Sequence, residues 1–457
     1  MTISRRQFLQ TTLALSVLPR AALASETELV AQPASQQIAP DGYPETPIWS
    51  YGGSVPGVEI RVPQGARVRR KLVNALPQPT TVHWHGIRID NAMDGVPGLT
   101  QDVVPPNDSF EYDFAVPDAG TYWYHAHNQS MEQVARGLYG PLIVEEASGP
   151  DVDQDLVLML DDWRLNPENA EISADFDNGH DLSHAGRLGN LVTVNGRFDP
   201  SYPVRTSERL RLRLINAANA RIFDVGLDGI TGWIVALDGM PLEVPLPVED
   251  SFPLAPAQRA DLIVDVTATS GQVASIVSVE RDGAFGLVKF DVAGSSANVP
   301  REGVDPLPPN PVPVITLQDA PLHLMAMQGG AMRWLENARL GEAELSGREL
   351  AQLGRFWALN GHAERPVEPF LDVPLGSVHR IEFANETAFP HAMHLHGHHF
   401  RLILADGSLG PWRDTVLVDR GQNRQIALVA DNPGDWLLHC HMLGHAASGM
   451  MSWFRVA

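Results

Sequence analysis

The chain of 457 residues carries 55 acidic against 33 basic side chains, a formal net charge of −22, and a single cysteine. So acidic a surface is a poor partner for nucleic acid or an anionic membrane, and one cysteine excludes an intrachain disulfide. The length implies two to four domains, each held by its own apolar core.

Residues 1–24 read as an export signal. Ser4-Arg5-Arg6-Gln7-Phe8-Leu9 is a twin-arginine signature, Leu13 to Leu18 a modest apolar region, and Ala22-Leu23-Ala24 a small-residue cleavage site. This predicts delivery to the periplasm by the twin-arginine export machinery. Removing the segment takes away three arginines and no acid, leaving 30 basic against 55 acidic side chains and a net charge of −25. No later run approaches the roughly 18 apolar residues of a membrane span, so no membrane anchor is expected after cleavage. Residues 25–40 read as a loose lead-in.

Glycine and proline are frequent, helix signals few, and short alternating runs recur, as in Glu208 to Ile215 and Arg424 to Val429. This pattern predicts an all-β chain. The runs repeat. Arg67 to Asn74, Arg209 to Asn216 and Ser377 to Asn385 each read as an alternating strand closing on asparagine. Nine and eleven residues after Asn74 come His83 and His85, and the same offsets from Asn385 reach His394 and His396; from Asn216 they fall on Val225 and Leu227. A glycine landmark agrees. Five and seven residues after Gly120 lie His125 and His127, after Gly434 lie His439 and His441, and after Gly271 lie Ile276 and Ser278. The expected organisation is three related domains, 40–148, 149–305 and 306–457, with metal chemistry confined to the first and third. The Pro-rich stretch Val304 to Pro313 reads as a stiff linker, Asp175 to Arg187 as a loop, and Ser346 to Leu353 as a helix with Ser346 and Glu349 at capping-box spacing.

The C-terminal stretch from His439 to Met450 concentrates soft and imidazole donors. One thiolate, two imidazoles and a weak axial thioether define the trigonal site of an electron-transfer copper, and Cys440, His445 and Met450 supply three of those groups. His391 supplies the fourth, since its parity is opposite to that of His394 and His396 and places it on the face toward which Cys440 points. On the strand that ends here, Cys440 faces one way and His439 and His441 the other. The pairs His83/His85, His125/His127, His394/His396 and His439/His441 each place two imidazoles on one strand face, within reach of one metal or two adjacent ones.

His83-Trp84-His85-Gly86, Trp123 to His127, His391 to Gly397 and His439 to Met450 resemble the four copper motifs of the three-domain multicopper oxidases, the group of bacterial laccases and periplasmic cuprous oxidases. The similarity continues through Trp412-Arg413-Asp414-Thr415-Val416 and Asn432-Pro433-Gly434. It implies three tandem cupredoxin-like Greek-key β-sandwich domains and four copper ions. By that resemblance His391, Cys440, His445 and Met450 hold a type 1 copper, His83 and His394 a type 2 copper, and His85, His125, His127, His396, His439 and His441 a type 3 pair.

The resemblance further implies that a reductant gives electrons singly at the type 1 copper, that they pass through Cys440 to His439 and His441, and that dioxygen is reduced to water at the other three. Asp94, in Met93-Asp94-Gly95-Val96-Pro97-Gly98, matches the family acid that relays protons. Two positions depart from the common pattern: Ala392 stands where many members have proline, which is expected to loosen that loop, and Ala446 stands where many metal oxidases have glutamate. The expected activity is laccase-like, on phenols or aromatic amines at an open type 1 edge. Cuprous oxidation is the alternative, with Met325, Met327 and Met332 as the only thioethers in the region where cuprous oxidases are methionine-rich. A structural, copper-free role of the kind some relatives have taken is a distant third.

Overall fold

The computed structural model describes residues 27–296 and 301–457; the twin-arginine segment lies outside the described residues. Each third of the chain folds as a pair of sheets, the last with an added two-stranded hairpin, and the three asparagine-ended strands hold equivalent places in them. Arg67–Asn74 pairs parallel with Thr27–Gln36 and antiparallel with Ser109–Ala115. Arg209–Asn216 does the same with Gln154–Trp163 and Arg259–Val266, and Val378–Asn385 with Leu322–Gly329 and Asn423–Val429.

The asparagine has a reason to recur. Its amide offers one acceptor and two donors, and all are used at a corner where the chain leaves the sheet. In the first repeat Asn74 Oδ1 accepts from Leu76 N at 3.0 Å, while Nδ2 donates to the carbonyls of Gln78 and Val104 at 2.9 and 2.8 Å. Asn216 and Asn385 repeat the arrangement on Ala218, Arg221 and Leu254 and on Thr387, Phe389 and Val418. An aspartate could accept there but not donate.

Each corner hands the chain to a second sheet. In the first repeat Val82–His85 pairs with Gly120–Ala126, setting His83 opposite His125; in the third, His391–Leu395 pairs with Gly434–Cys440, setting His394 opposite His439. Alternation then sorts the side chains. Val82, Trp84, Met393, Leu395 and Cys440 enter one apolar cluster that runs through both the first and third repeats, whereas the middle repeat has a core of its own. The histidine faces are thereby left to meet each other.

Three local readings are revised. Thr27–Gln36 is a strand, not a loose lead-in: Leu29 and Ala31 are buried on one face, a short alternation diluted by Ser, Gln and Thr. Within Asp175 to Arg187, Gly179–Ser183 forms a short helix whose N-cap Asn178 accepts from His180 N, too brief to leave a periodic signature. Ala392 sits in the regular ladder opposite Leu417, with its carbonyl accepting from His441 N at 2.6 Å, so nothing is loosened there. The predicted capping box is present at Gly347–Gln352. Residues 304–313 are without regular structure, and Asn310 within them bonds both backbone groups of Ala119 at 2.8 Å. No helix among the described residues is long and apolar enough to cross a membrane.

Candidate metal centres

The candidate donors of the pocket around Cys440 all come from the third repeat. Cys440 ends its strand opposite Met393, His391 opens the neighbouring strand on the same face, and His445 lies on the short helix Leu443–Ala447 that follows. His391 Nδ1 and His445 Nδ1 are 3.0 Å apart, each 3.7 Å from Cys440 Sγ. The side chain of Met450 is fully buried in the same cluster as Cys440, and its carbonyl accepts from Cys440 N at 3.1 Å. Burial pushes the thiol up to about 12 and the His445 imidazole down to about 4; His391 is lowered by burial and then by His445. The metal-free pocket is therefore uncharged, and a cation that displaces the thiol proton would find two neutral imidazoles already facing it.

Both imidazoles are oriented from behind. His391 Nε2 donates to Thr387 Oγ1 at 2.8 Å and His445 Nε2 to the carbonyl of His184 at 2.7 Å, leaving both Nδ1 lone pairs toward the sulfur. The expected open edge is thus absent. His445 and His391 are each 0% exposed, because the segment ending in His184 reaches over from the middle repeat. Its carbonyls are fixed to the third repeat by Trp357 Nε1 and Ser448 Oγ at Leu182 (2.6 and 2.9 Å) and by Ala331 N at Ser183 (2.8 Å).

On the other side of the same strands, eight imidazoles from the first and third repeats converge. His85 stacks on His394 and His83 lies tilted by 31° over His396, each with ring centroids 3.8 Å apart; His396 Nε2 lies 3.2 Å from His439 Nε2, and His125 Nε2 3.3 Å from His441 Nε2. His127 closes a third group with His396 and His439. Burial, then mutual repulsion, lowers His85, His127, His394, His396 and His441, and burial first lowers His125 and holds His439 at about 4. These seven are neutral donors at pH 7.

Their protons point outward. His83 and His394 donate from Nδ1 to the carbonyls of Asp94 and Asp414, both at 2.9 Å, so each Nε2 is a buried lone pair without a partner. His396 spends its Nδ1 proton on the Asp94 carboxylate (3.0 Å) and His439 on the Cys440 carbonyl (2.9 Å), which sets two bare Nε2 lone pairs face to face. Buried acceptors in this state are costly unless a cation fills the space between them. Imidazole donors on one side and a thiolate with imidazoles on the other are the donor sets that suit copper.

Residues 33–149, 154–286 and 343–457 match family models described as multicopper oxidase. The chain is 31% identical to the multicopper oxidase MmcO of Mycobacterium tuberculosis, over 90% of its own length and 83% of that protein. The chain belongs to the multicopper oxidases. The oxidase is also 31% identical to Laccase-2 of Fomitopsis schrenkii, over 90% of this chain and 86% of that one. Among solved structures it is similar to Lac15 from a marine microbial metagenome, 44% identical with a TM-score of 0.78, over 94% of this chain and 100% of that one.

Asp94 of the oxidase is fully buried against His83 and His396, with its carboxylate 3.0–3.2 Å from His396 Nδ1. It is brought there by Gly95, whose φ of +85° lets the turn press on the Val82 carbonyl, where a Cβ would come within 1.9 Å. A cavity of about 590 Å³ reaches His127 and His439 from the surface, walled in part by Ala446, Arg355 and Arg365. The small side chain of Ala446 helps leave it open. Two contributors escaped the sequence reading. Asp414 lies inside the family motif Trp412 to Val416 but carried no assigned role, and its partner Arg259 sits in the repeat that lacks histidine pairs.

Proposed function

We propose that this multicopper oxidase is laccase-like: it oxidises a phenol or aromatic amine one electron at a time and couples that oxidation to the four-electron reduction of dioxygen to water. His391, Cys440, His445 and Met450 would hold one type 1 copper, His83 and His394 one type 2 copper, and His85, His125, His127, His396, His439 and His441 a type 3 pair. Copper bound there supplies one-electron redox chemistry, so that single-electron donors can serve a four-electron acceptor. Cys440 joins the two sites through its own backbone, because its neighbours His439 and His441 face the cluster. The cavity beside His127 and His439 gives a small oxidant its approach. Asp94, bonded to two cluster imidazoles and, among the described residues, to no guanidinium, would pass protons inward. The twin-arginine signature supports export in the folded state to the periplasm.

The reading of the donor rests on the methionines. Met325 and Met327 are 0% exposed within the core and cannot receive a cuprous ion at the surface. Met332, 71% exposed and one residue beyond the Ala331 amide bonded to Ser183, is the single observation favouring cuprous oxidation instead. Oxygen uptake by copper-loaded protein separates the two. Turnover of 2,6-dimethoxyphenol without added Cu(II) is expected; fast uptake on Cu(I), with phenol oxidised only when Cu(II) is present, would make it a cuprous oxidase.

A further inference from the structure

Asp94 and Asp414 are related as the two halves of the histidine cluster are. Asp94 accepts His83 Nδ1 on its carbonyl and His396 Nδ1 on its carboxylate; Asp414 accepts His394 Nδ1 on its carbonyl at 2.9 Å and His85 Nε2 on Oδ1 at 3.3 Å. Each aspartate thus binds the first histidine of its own repeat through the main chain and the second histidine of the other repeat through the side chain. Their surroundings differ. Asp414 is also gripped by both Nη atoms of Arg259, at 2.9 and 2.5 Å, and by Thr415 Oγ1 at 2.8 Å.

Arg259 belongs to the strand Arg259–Val266 of the middle repeat and is 0% exposed. Its Nε donates to the carbonyl of Thr121 in the first repeat at 3.2 Å, its own N–H to Asp238 Oδ1 at 2.9 Å, and Arg413 binds the other Asp238 oxygen at 2.9 Å. Three repeats therefore meet on one guanidinium. An independent feature says that the guanidinium is built into the cluster's wall. Gly86, next after His85, has φ +87°, and a Cβ there would lie 2.3 Å from Arg259 Nη2 and 2.6 Å from Asp414 Oδ2.

We propose that Arg259 is a positioning residue of the cluster: by clamping Asp414 it holds the acceptor for His85 Nε2–H and so aims the unpartnered His85 Nδ1 inward. The middle repeat, which supplies no candidate ligand, reaches the Asp414 carboxylate through this side chain, while its Asp238 and Gln258 hold the main chain of Asp414 and Thr415. The same contact makes the two aspartates unlike, one tied to a fork of fixed geometry and the other hydrogen-bonded to imidazoles only.

The proposal rests on the histidines being copper ligands, and the test separates the two. Full-length wild type, Arg259→Met and Arg259→Lys are loaded with copper, and copper per chain, the blue absorption, the near-ultraviolet band of the paired coppers and the resistance of each to a chelator are measured. Arg259→Met is expected to keep the blue absorption and to bind cluster copper about 10–100-fold more weakly, the usual loss when a group orienting a ligand is removed. Arg259→Lys, which keeps the charge but not the fork, is expected to fall between. Cluster copper held as tightly as in the wild type overturns the proposal, and Arg259→Lys alone decides it if the methionine variant does not fold. Wild type that binds no more than one copper would instead remove the reading beneath it.

Discussion

The pocket around Cys440 and the histidine cluster share a strand, yet one is sealed and the other is open. The pocket takes all its donors from the third repeat and is covered by the carbonyl of His184. The cluster takes its donors from two repeats and adjoins a cavity of about 590 Å³. The difference is the one that the proposed roles call for. A site that passes electrons needs no substrate atom at its ligands and gains from dry, rigid surroundings, whereas a site that reduces dioxygen must admit a molecule, take up protons and release water.

Cys440→Ser would break the sealed site and spare the open one. Blue absorption and oxidase turnover are expected to vanish completely while the near-ultraviolet band and the fold survive, because Ser removes the sulfur at almost constant volume. Retained blue colour would sink the assignment of Cys440.

Asp94→Asn reverses the test. With copper retained and the blue band still reduced by donor, turnover is expected to fall about 100-fold, the typical contribution of a positioned proton donor. The reduced form should then accumulate in the steady state. An unchanged turnover number would leave Asp94 a structural turn residue.

A smaller change is expected at the cover. Asp181 is buried and held by two bonds from Arg164, at 2.5 and 3.0 Å, and Arg164 also reaches Asp175. Asp181→Ala frees the segment that caps His445. Anaerobic stopped flow should show a phenol bleaching the blue band about tenfold faster, equivalent to about 1.4 kcal/mol, with the affinity for dioxygen unaltered. An unchanged rate would show that donors do not need His445 uncovered.

The sealed pocket and the cluster were legible in the sequence to different depths. His83, His394 and their partners stood out because strand alternation converts a spacing of two into a shared face, and the asparagine corners that set the offsets are themselves local. The cover over His445 had no such signature, since the group that does the covering is the main-chain carbonyl of His184. Arg259 and Asp414 are 155 residues apart and meet only once three repeats have assembled. The fate of Arg209, Arg211 and Arg213 was not legible either: they alternate with leucine along one strand, and the structure buries all three, with Arg211 on Glu146 and Asp261 and Arg213 on Asp155, partners that lie outside the strand.

The mildest test titrates one imidazole from each site. His445 in the pocket and His439 in the cluster are both held down to about 4 by burial, against an ordinary value of 6.5 in the unfolded chain. In metal-free protein the unfolded state therefore binds more protons than the native state between these limits. Each group's contribution is complete above pH 6.5 and is lost as the pH falls to about 4, on the order of 3 kcal/mol apiece. Calorimetry of the metal-free protein should give a Tm that is level near pH 7 and drops steeply toward pH 4. Copper-loaded protein should resist until the metal leaves, because a coordinated nitrogen has no lone pair for a proton. His445→Gln and His439→Gln should each flatten part of the slope by a similar amount, since both start from the same depressed value.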